Sequence, residues 1–343
     1  MHPSSYRKGK GAGRVSASYR IAIIGGGIIA ASHLEAMAAL PDAQACAIAD
    51  IRSERAKELA EAYGIAAYVD YETMLREQRP DIAIVTLPHH LHEQASVFAF
   101  EQGCHVLLEK PMALNTAQCE VIAAAARAAG RTLAIAHTQH YYADNAAARA
   151  YIRSGELGRL VMINVRRHLP YDKPERPDWF FERAKAGGGI LTNLGAHCID
   201  KIQWLTGEPL VRVHATMDYA LGRGDVEGSG AALCHTASGI PAVICQSGYP
   251  GAPIDETELH FTRGSLRLRT GLGLWISDGG DYAPVQTEQQ EPTLVLQLRN
   301  LLTALEQGAE PQEADAEYAR SVVAAVEALY RSAACGQAVE VNG

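Results

Sequence analysis

Residues 20–50, RIAIIGGGIIAASHLEAMAALPDAQACAIAD, decide the fold. Ile21-Ala22-Ile23-Ile24 is a short apolar run of the kind buried on both faces of a parallel sheet. Gly25-Gly26-Gly27-Ile28-Ile29-Ala30 follows at once and has the G-x-G-x-x-(G/A) spacing. Gly25 permits a tight strand-to-helix turn, Gly27 lets backbone approach a pyrophosphate, and the small Ala30 lets helix pack on strand. A helix beginning here, read over Ala30 to Leu40, turns unpaired N–H groups and a positive dipole end toward phosphate, with Ile28 and Ile29 beside it. Ala45 to Ala49 reads as the second strand and ends at Asp50, flanked by Ile51 and Arg52. A carboxylate there can accept hydrogen bonds from an adenosine ribose. These features together predict a dinucleotide-binding Rossmann unit that takes NAD. A 2′-phosphate would meet the Asp50 charge, so NADP is the lesser expectation, although Arg52 and Ser53 can reach around to a phosphate.

Outward from this stretch, strand and helix patterns alternate as far as Ala136. Asp81 to Thr86 reads as a buried strand leading into Leu87-Pro88-His89-His90-Leu91-His92, and His105 to Leu108 as another leading into Glu109-Lys110-Pro111. Both segments fall at carboxyl ends of strands, where open α/β sheets bind ligands. From His137 the texture changes. Leu160 to His168 alternates like a sheet strand, residues 170–181 are rich in proline and aromatics, Gly187-Gly188-Gly189 opens a helix read through Trp204, and residues 209–277 give several strands. The predicted architecture is α/β: a doubly wound parallel sheet over residues 20–136, then an α/β domain over 137–343 with a large, mostly antiparallel open sheet. Residues 1–19, polar and basic, read as a disordered tail.

A chain of 343 residues accommodates about two domains, and 48% hydrophobic with 20% charged residues is ordinary for a globular protein. A net charge of −8 argues against nucleic acid as the main partner. No apolar run reaches membrane-spanning length. Seven scattered cysteines without a C-x-x-C pair fit reduced thiols in the cytoplasm.

Three further stretches bear on chemistry. Thr86-Leu87-Pro88-His89-His90-Leu91-His92 resembles T-x-P-N-x-x-H, Glu109-Lys110-Pro111 resembles E-K-P, and Gly187 to Asp200 resembles G-G-G-x-L-x-D-x-G-x-H-x-x-D. With the glycine fingerprint, they identify a resemblance to the Gfo/Idh/MocA oxidoreductases, the family of glucose-fructose oxidoreductase and inositol dehydrogenase. The resemblance implies hydride transfer between nicotinamide and a secondary hydroxyl of a sugar, cyclitol or sugar derivative, in a homodimer or homotetramer. Alternatives within it are a glycoside-cleaving enzyme that oxidises transiently and a non-catalytic NAD-binding sensor. It implies that Lys110 points at the reacting hydroxyl and that Glu109 meets the nicotinamide side. Thr86, Leu87, Pro88, His89 and His92 would lie along the cofactor; neighbouring histidines that project differently make a poor metal site.

His197 is the candidate proton acceptor, since an imidazole titrating near neutrality suits taking a proton from an alcohol. Asn193, four residues earlier, shares its helical face; it replaces the commoner aspartate and, as an amide, can hold a hydroxyl but not take its proton. Asp200 follows one turn later and is read as steadying the helix. His140 and Tyr141 stand where the family often has an arginine-aromatic pair and are candidate substrate contacts. Arg166 and Arg167 end a strand facing either site or interface, and Trp179 can wall a sugar face. Assembly is expected through the open sheet, on the alternation Val211, Val213, Ala215.

Overall fold

The computed structural model describes residues 18–309, 311 and 315–342. The tail expected over residues 1–19 lies outside them apart from Ser18 and Tyr19, and Tyr19 already belongs to the first strand.

The first half runs β1 (Tyr19–Ile24), α1 (Ile28–Ala38), β2 (Ala43–Ala49), α2 (Ser53–Tyr63), β3 (Ala66–Tyr68), α3 (Tyr71–Gln78), β4 (Ile82–Val85), α4 (His92–Glu101), β5 (His105–Leu108), α5 (Thr116–Ala129) and β6 (Leu133–Ile135). All pairings in this sheet are parallel, in the order β3-β2-β1-β4-β5-β6. The chain reverses direction across the sheet between β1 and β4, the switch point at which such sheets bind ligands. The two-residue period of β1 divides its side chains: Ala22 and Ile24 join the core on one face, Ile21 and Ile23 that on the other. Each fully buried isoleucine contributes about 1.5–3 kcal/mol.

The second half comprises α6 (Ala143–Ser154), β7 (Leu160–His168), α7 (Arg183–Ala186), α8 (Ile190–Asn193), α9 (Gly195–Thr206), β8 (Leu210–Asp218), β9 (Ser229–Thr236), β10 (Pro241–Ser247), β11 (Ile254–Phe261), β12 (Gly264–Arg269), β13 (Gly273–Ser277), β14 (Ala283–Val285), α10 (Thr293–Gln307), α11 (Ala316–Cys335) and β15 (Val339–Glu340). Its strands form one nine-stranded sheet, β14-β13-β12-β11-β7-β10-β9-β8-β15, antiparallel except for β7 against β10.

Three expectations need correction. The helix expected from Gly189 to Trp204 divides at Leu194 into α8 and α9, although Leu194 keeps right-handed helical angles (φ −92°, ψ −27°). The simple division at residue 136 fails for the C-terminal helices. Val295, Leu298, Leu301 and Leu302 of α10 pack with Ile21, Ile23 and Leu34 on the parallel sheet. Ala319 and Val323 of α11 join the core on that sheet's other face, while Val322, Ala325 and Leu329 join the core of the second sheet. Lastly, Val213 and Ala215 face that second core, 0% and 2% exposed, and the outward face instead presents Met162, Leu233 and Val243. The alternation was right, but the side was not.

Among the described residues no helix is long and apolar enough to cross a membrane. All seven cysteines are free.

Candidate active site

β1 delivers its chain end to Gly25, whose φ of +105° an L side chain rarely adopts. A Cβ there would stand 2.8 Å from the Thr86 carbonyl oxygen at the end of β4. Thr86 Oγ1 in turn donates to the Gly25 carbonyl at 2.7 Å, fastening the two strand ends. Gly27 is the N-cap of α1; it gives no side-chain cap, and nothing lies within 4 Å of where its Cβ would be. Unpaired N–H groups therefore open onto empty space, and these residues fit a pyrophosphate. Ile28 and Ile51 are 83% and 91% exposed, apolar flanks without protein cover, with Ile29 beside them. Leu87 and Pro88 are half-buried along the same edge.

Asp50 accepts from the Gly26 amide (2.7 Å), the Arg52 amide (2.8 Å) and the Arg52 guanidinium (3.0 Å from both Nε and Nη2). Burial alone would raise its pKa, but these donors outweigh it and hold the carboxyl below its ordinary range. The Arg52 side chain is 62% exposed, so its fork is an exposed ion pair contributing about 0–1 kcal/mol and swings away at little cost.

His92 and His89 are turned inward rather than along the cleft. His92 places Nε2 2.8 Å from the Leu87 carbonyl and Nδ1 3.0 Å from that of Pro111; the neutral ring donates to one of the two and packs between the 86–88 and 109–111 segments. His89 donates from Nδ1 to the Ala186 carbonyl (2.8 Å), and its ring meets Trp179 edge-on at 4.9 Å. Trp179 itself stacks on Phe180 at 3.7 Å. His89 thereby joins the ligand edge of the parallel sheet to the loop of the second half. Glu109 Oε1 lies 3.0 Å from Nε2 of His33, a fully buried residue of α1. Burial pushes the Glu109 carboxyl up, yet His33 prevails and holds it below its usual range. The sequence reading passed over His33; its only signal was one polar residue on an apolar, alanine-rich helix.

Lys110 Nζ donates to the Asn193 side-chain oxygen at 3.0 Å and to its backbone carbonyl at 3.2 Å. Burial lowers the ammonium pKa to about 8; Glu109 opposes the shift, and Arg167 and Arg176 add to it. His197 follows one turn after Asn193. Burial, then the charges of Lys110 and Arg167, hold it well below the ordinary imidazole range, so the ring is neutral at neutral pH. Its Nδ1 is buried without a hydrogen-bond partner. A neutral imidazole and a fixed ammonium can together take a proton from an alcohol and stabilise charge on its oxygen.

The triple glycine has a steric reason. A Cβ on Gly188 would fall on the Tyr330 hydroxyl, and one on Gly189 on the Glu227 carbonyl. The fully buried Glu227 carboxylate accepts from the amides of Gly189 (2.9 and 3.0 Å) and Leu191 (2.8 Å) and from the Tyr330 hydroxyl (2.7 Å), capping the short helix that carries Asn193. Replacing Glu227 by alanine strands these donors. We expect a loss of about 3 kcal/mol or more in stability, measured by urea unfolding. A change within 0.5 kcal/mol would show that Glu227 does not fasten the helix.

Other expected contacts are distributed differently. His140 Nε2 lies 2.7 Å from Asp200 Oδ1 and its ring stacks on Trp204 at 4.9 Å, so it belongs to a buried network rather than to the cleft wall. Asp200 also accepts from the Tyr318 hydroxyl at 2.7 Å and lies 3.4 Å from His137 Nδ1. Although burial raises its pKa, His140 and His137 hold its carboxyl well below the normal range. Asp200 thus braces α9 from behind. Tyr141 ends the 3-10 turn Thr138–Tyr141 that carries His140, and its carbonyl accepts from Gln289 at 3.2 Å. The period of β7 separates the two arginines: Arg166 pairs with Glu256 on the open face, Arg167 lies against Asp255 on the inner one.

A glycine cradle at a switch point, an acid after β2 and a half-buried lysine after β5 have the layout of a dinucleotide-binding enzyme. The comparisons narrow this. Residues 19–137 match the oxidoreductase family with an NAD-binding Rossmann fold, GFO/IDH/MocA, and residues 145–267 match the GFO/IDH/MocA C-terminal domain. The chain belongs to the GFO/IDH/MocA family. It is similar to D-glucoside 3-dehydrogenase of Escherichia coli (strain K12), 31% identical over 201 residues. That match covers 57% of this chain and 56% of the relative, so the chain spans about half its length. It is 26% identical to 1,5-anhydro-D-fructose reductase of Ensifer adhaerens over 300 residues, 84% of this chain and 89% of the other. The crystal structure of aldose-aldose oxidoreductase from Caulobacter crescentus complexed with glycerol superposes with a TM-score of 0.86 at 26% identity, covering 94% of this chain and 99% of that one.

Proposed function

We propose that this protein is an NAD-dependent dehydrogenase that oxidises a secondary hydroxyl of a sugar, cyclitol or sugar derivative. The observation that carries the reading is the Lys110 ammonium held by Asn193 one helical turn before His197. Dehydrogenases and reductases of sugars among the similar proteins point the same way. When bound, the nicotinamide supplies the hydride acceptor. Lys110 donates a hydrogen bond to the substrate oxygen and stabilises the negative charge that develops there. His197 accepts the hydroxyl proton as the carbon–oxygen double bond forms. Asn193 orients Lys110 and is placed to hold a neighbouring hydroxyl. A panel of sugars, inositols and sugar acids with NAD, followed by absorbance of the reduced cofactor, tests the reading. Glycoside cleavage without net reduction, or cofactor binding without turnover, would replace it.

NAD is the preferred cofactor. Asp50 repels a 2′-phosphate, whereas its exposed Arg52 partner is free to move. NADH is expected to bind at least about tenfold more tightly than NADPH by fluorescence titration, and Asp50→Ser to narrow the gap. Tighter NADPH binding by the unaltered protein would refute this.

We assign assembly, as a homodimer or homotetramer, to the outward face of the second sheet. Met162, Val243 and Leu233 stand exposed on the neighbouring strands β7, β10 and β9. Light scattering at micromolar protein is expected to give a multiple of 36.8 kDa, and Leu233→Lys to shift it downward. A monomeric mass for the unaltered protein speaks against it. Free cysteines fit a cytoplasmic setting.

A further inference from the structure

The inner wall of the cleft gathers more positive charge than the protein neutralises. Arg167 stands on the same face of the second sheet as Gln246 and Asp255, its register partners. Its side chain is 12% exposed, and its Nη1 is buried with no hydrogen-bond partner. Among the described residues the carboxylate paired with it is Asp255, which is shared with the Lys201 ammonium, 3.2 Å away.

Arg176 is less compensated still. Its guanidinium lies 4.3 Å from the centre of the Tyr171 ring and 4.9 Å from that of Phe180, and its Nε is buried without a partner. Two of the three acids of its own loop are engaged elsewhere, and the third, Glu175, is exposed to solvent. Asp172 (2.8 Å) and Asp178 (2.5 Å) both bind Arg223, which also donates to the Arg176 backbone carbonyl (3.0 Å). Among the described residues no carboxylate pairs with Arg176. The Tyr171 hydroxyl beside it is buried and interacts with Arg176 and Asn193, neither of which is an anion.

A half-buried guanidinium without an anion is costly, and two aromatic faces return only about 2 kcal/mol. These aromatic rings fix the plane of Arg176, as forked recognition of a planar anion requires. We propose that the substrate is a sugar acid whose carboxylate is gripped by Arg176, with Arg167 alongside, while its hydroxyl faces Lys110 and His197. A carboxylate supplies a single negative charge, matching one unpaired guanidinium better than a phosphate dianion does. Two cations around Asp255 supply the remaining attraction.

This inference rests on the dehydrogenase reading, so its test has two arms. In the first, NAD reduction is measured with matched pairs: D-glucuronate against D-glucose, D-galacturonate against D-galactose, and D-gluconate against D-sorbitol, with D-glucose 6-phosphate as the phosphate comparison. The acids are expected to exceed their neutral partners by about 10²–10³ in kcat/KM. Arg176→Gln should collapse that ratio to within about tenfold, mainly through KM, and Arg176→Lys should restore part of it. Neutral sugars turned over as well as acids, or a ratio untouched by Arg176→Gln, would overturn the proposal; preference for the phosphate would overturn the choice of carboxylate.

In the second arm, calorimetry follows D-gluconate and D-glucuronate binding to the protein saturated with NAD. Binding that disappears in Arg176→Gln, in a protein that turns over nothing, would uphold the anion site and remove the dehydrogenase reading. No binding of either acid, together with turnover of neutral sugars, would do the reverse.

Discussion

Replacing His197 by alanine is expected to lower kcat by about 10²–10⁴ while NAD binding stays near its original strength. The imidazole sits in the second half, one turn from Asn193, whereas the glycine turn and Asp50 lie on the parallel sheet. Its low pKa keeps the ring a proton acceptor at neutral pH. Without it, the hydroxyl proton must leave to water or hydroxide, so the residual rate should climb with pH. Asn193→Leu is expected to act differently. It releases the Lys110 ammonium and removes a hydroxyl contact, raising KM as well as lowering kcat, whereas Asn193→Asp retains an oxygen acceptor. Steady-state kinetics with a confirmed substrate separates these patterns. Near-normal turnover by His197→Ala would remove His197 from the mechanism and leave Lys110 or Tyr141 as the base to examine.

The second large effect concerns Lys110. Its pKa of about 8 divides two roles by the sign of a pH profile. If the ammonium stabilises charge on the substrate oxygen, the active form is protonated: kcat/KM is level through neutrality and falls about tenfold per unit above pH 8. If the amine is instead the base, the rate rises through the same value. The falling limb is expected, because Asn193 presents two oxygen acceptors to Nζ and the neutral His197 is available as the proposed base. Lys110→Ala should cost about 10²–10³ in kcat/KM. Lys110→Arg, which stays charged across the range, should flatten the alkaline limb even where its rate is reduced. A profile rising through pH 8 would assign the proton to Lys110.

The nucleotide half was legible because its signals are local. A run such as Ile21 to Ile24 needs only its own composition to be read as a buried strand, and Gly25 and Asp50 carry their meaning in spacing. What escaped depends on contacts between distant residues. Leu160 to His168 was read correctly as a strand, but which of Arg166 and Arg167 faces inward depends on β10 and β11, whose register partners for these two residues lie 79 to 90 positions away. Glu227 lies 38 residues beyond the turn it caps, in a stretch with no pattern of its own. His140 was read as a cleft residue because it follows a strand at the ligand edge; the Asp200 carboxylate, 60 residues later, draws it into the core. His33 shows the same limit, since a single polar side chain on an alanine-rich helix gains a role only when Glu109 arrives 76 residues on.

The path of α10 constrains how this molecule can be cut and recombined. Its Val295, Leu298, Leu301 and Leu302 cover Ile21, Ile23 and Leu34, so a fragment ending near residue 137 exposes that face of its sheet. Each bared side chain forfeits about 1.5–3 kcal/mol, enough in sum to exhaust the stability of an ordinary domain. No single contiguous segment therefore reproduces the nucleotide half. A chimera that borrows the second half of a relative has to keep residues 293–307 with residues 19–136, and so requires two splice points beyond β14 as well as one after β6. Insertions between β14 and α10 would lengthen the tether by which one half reaches back to the other, making that connection the natural place to vary their coupling while leaving both cores whole.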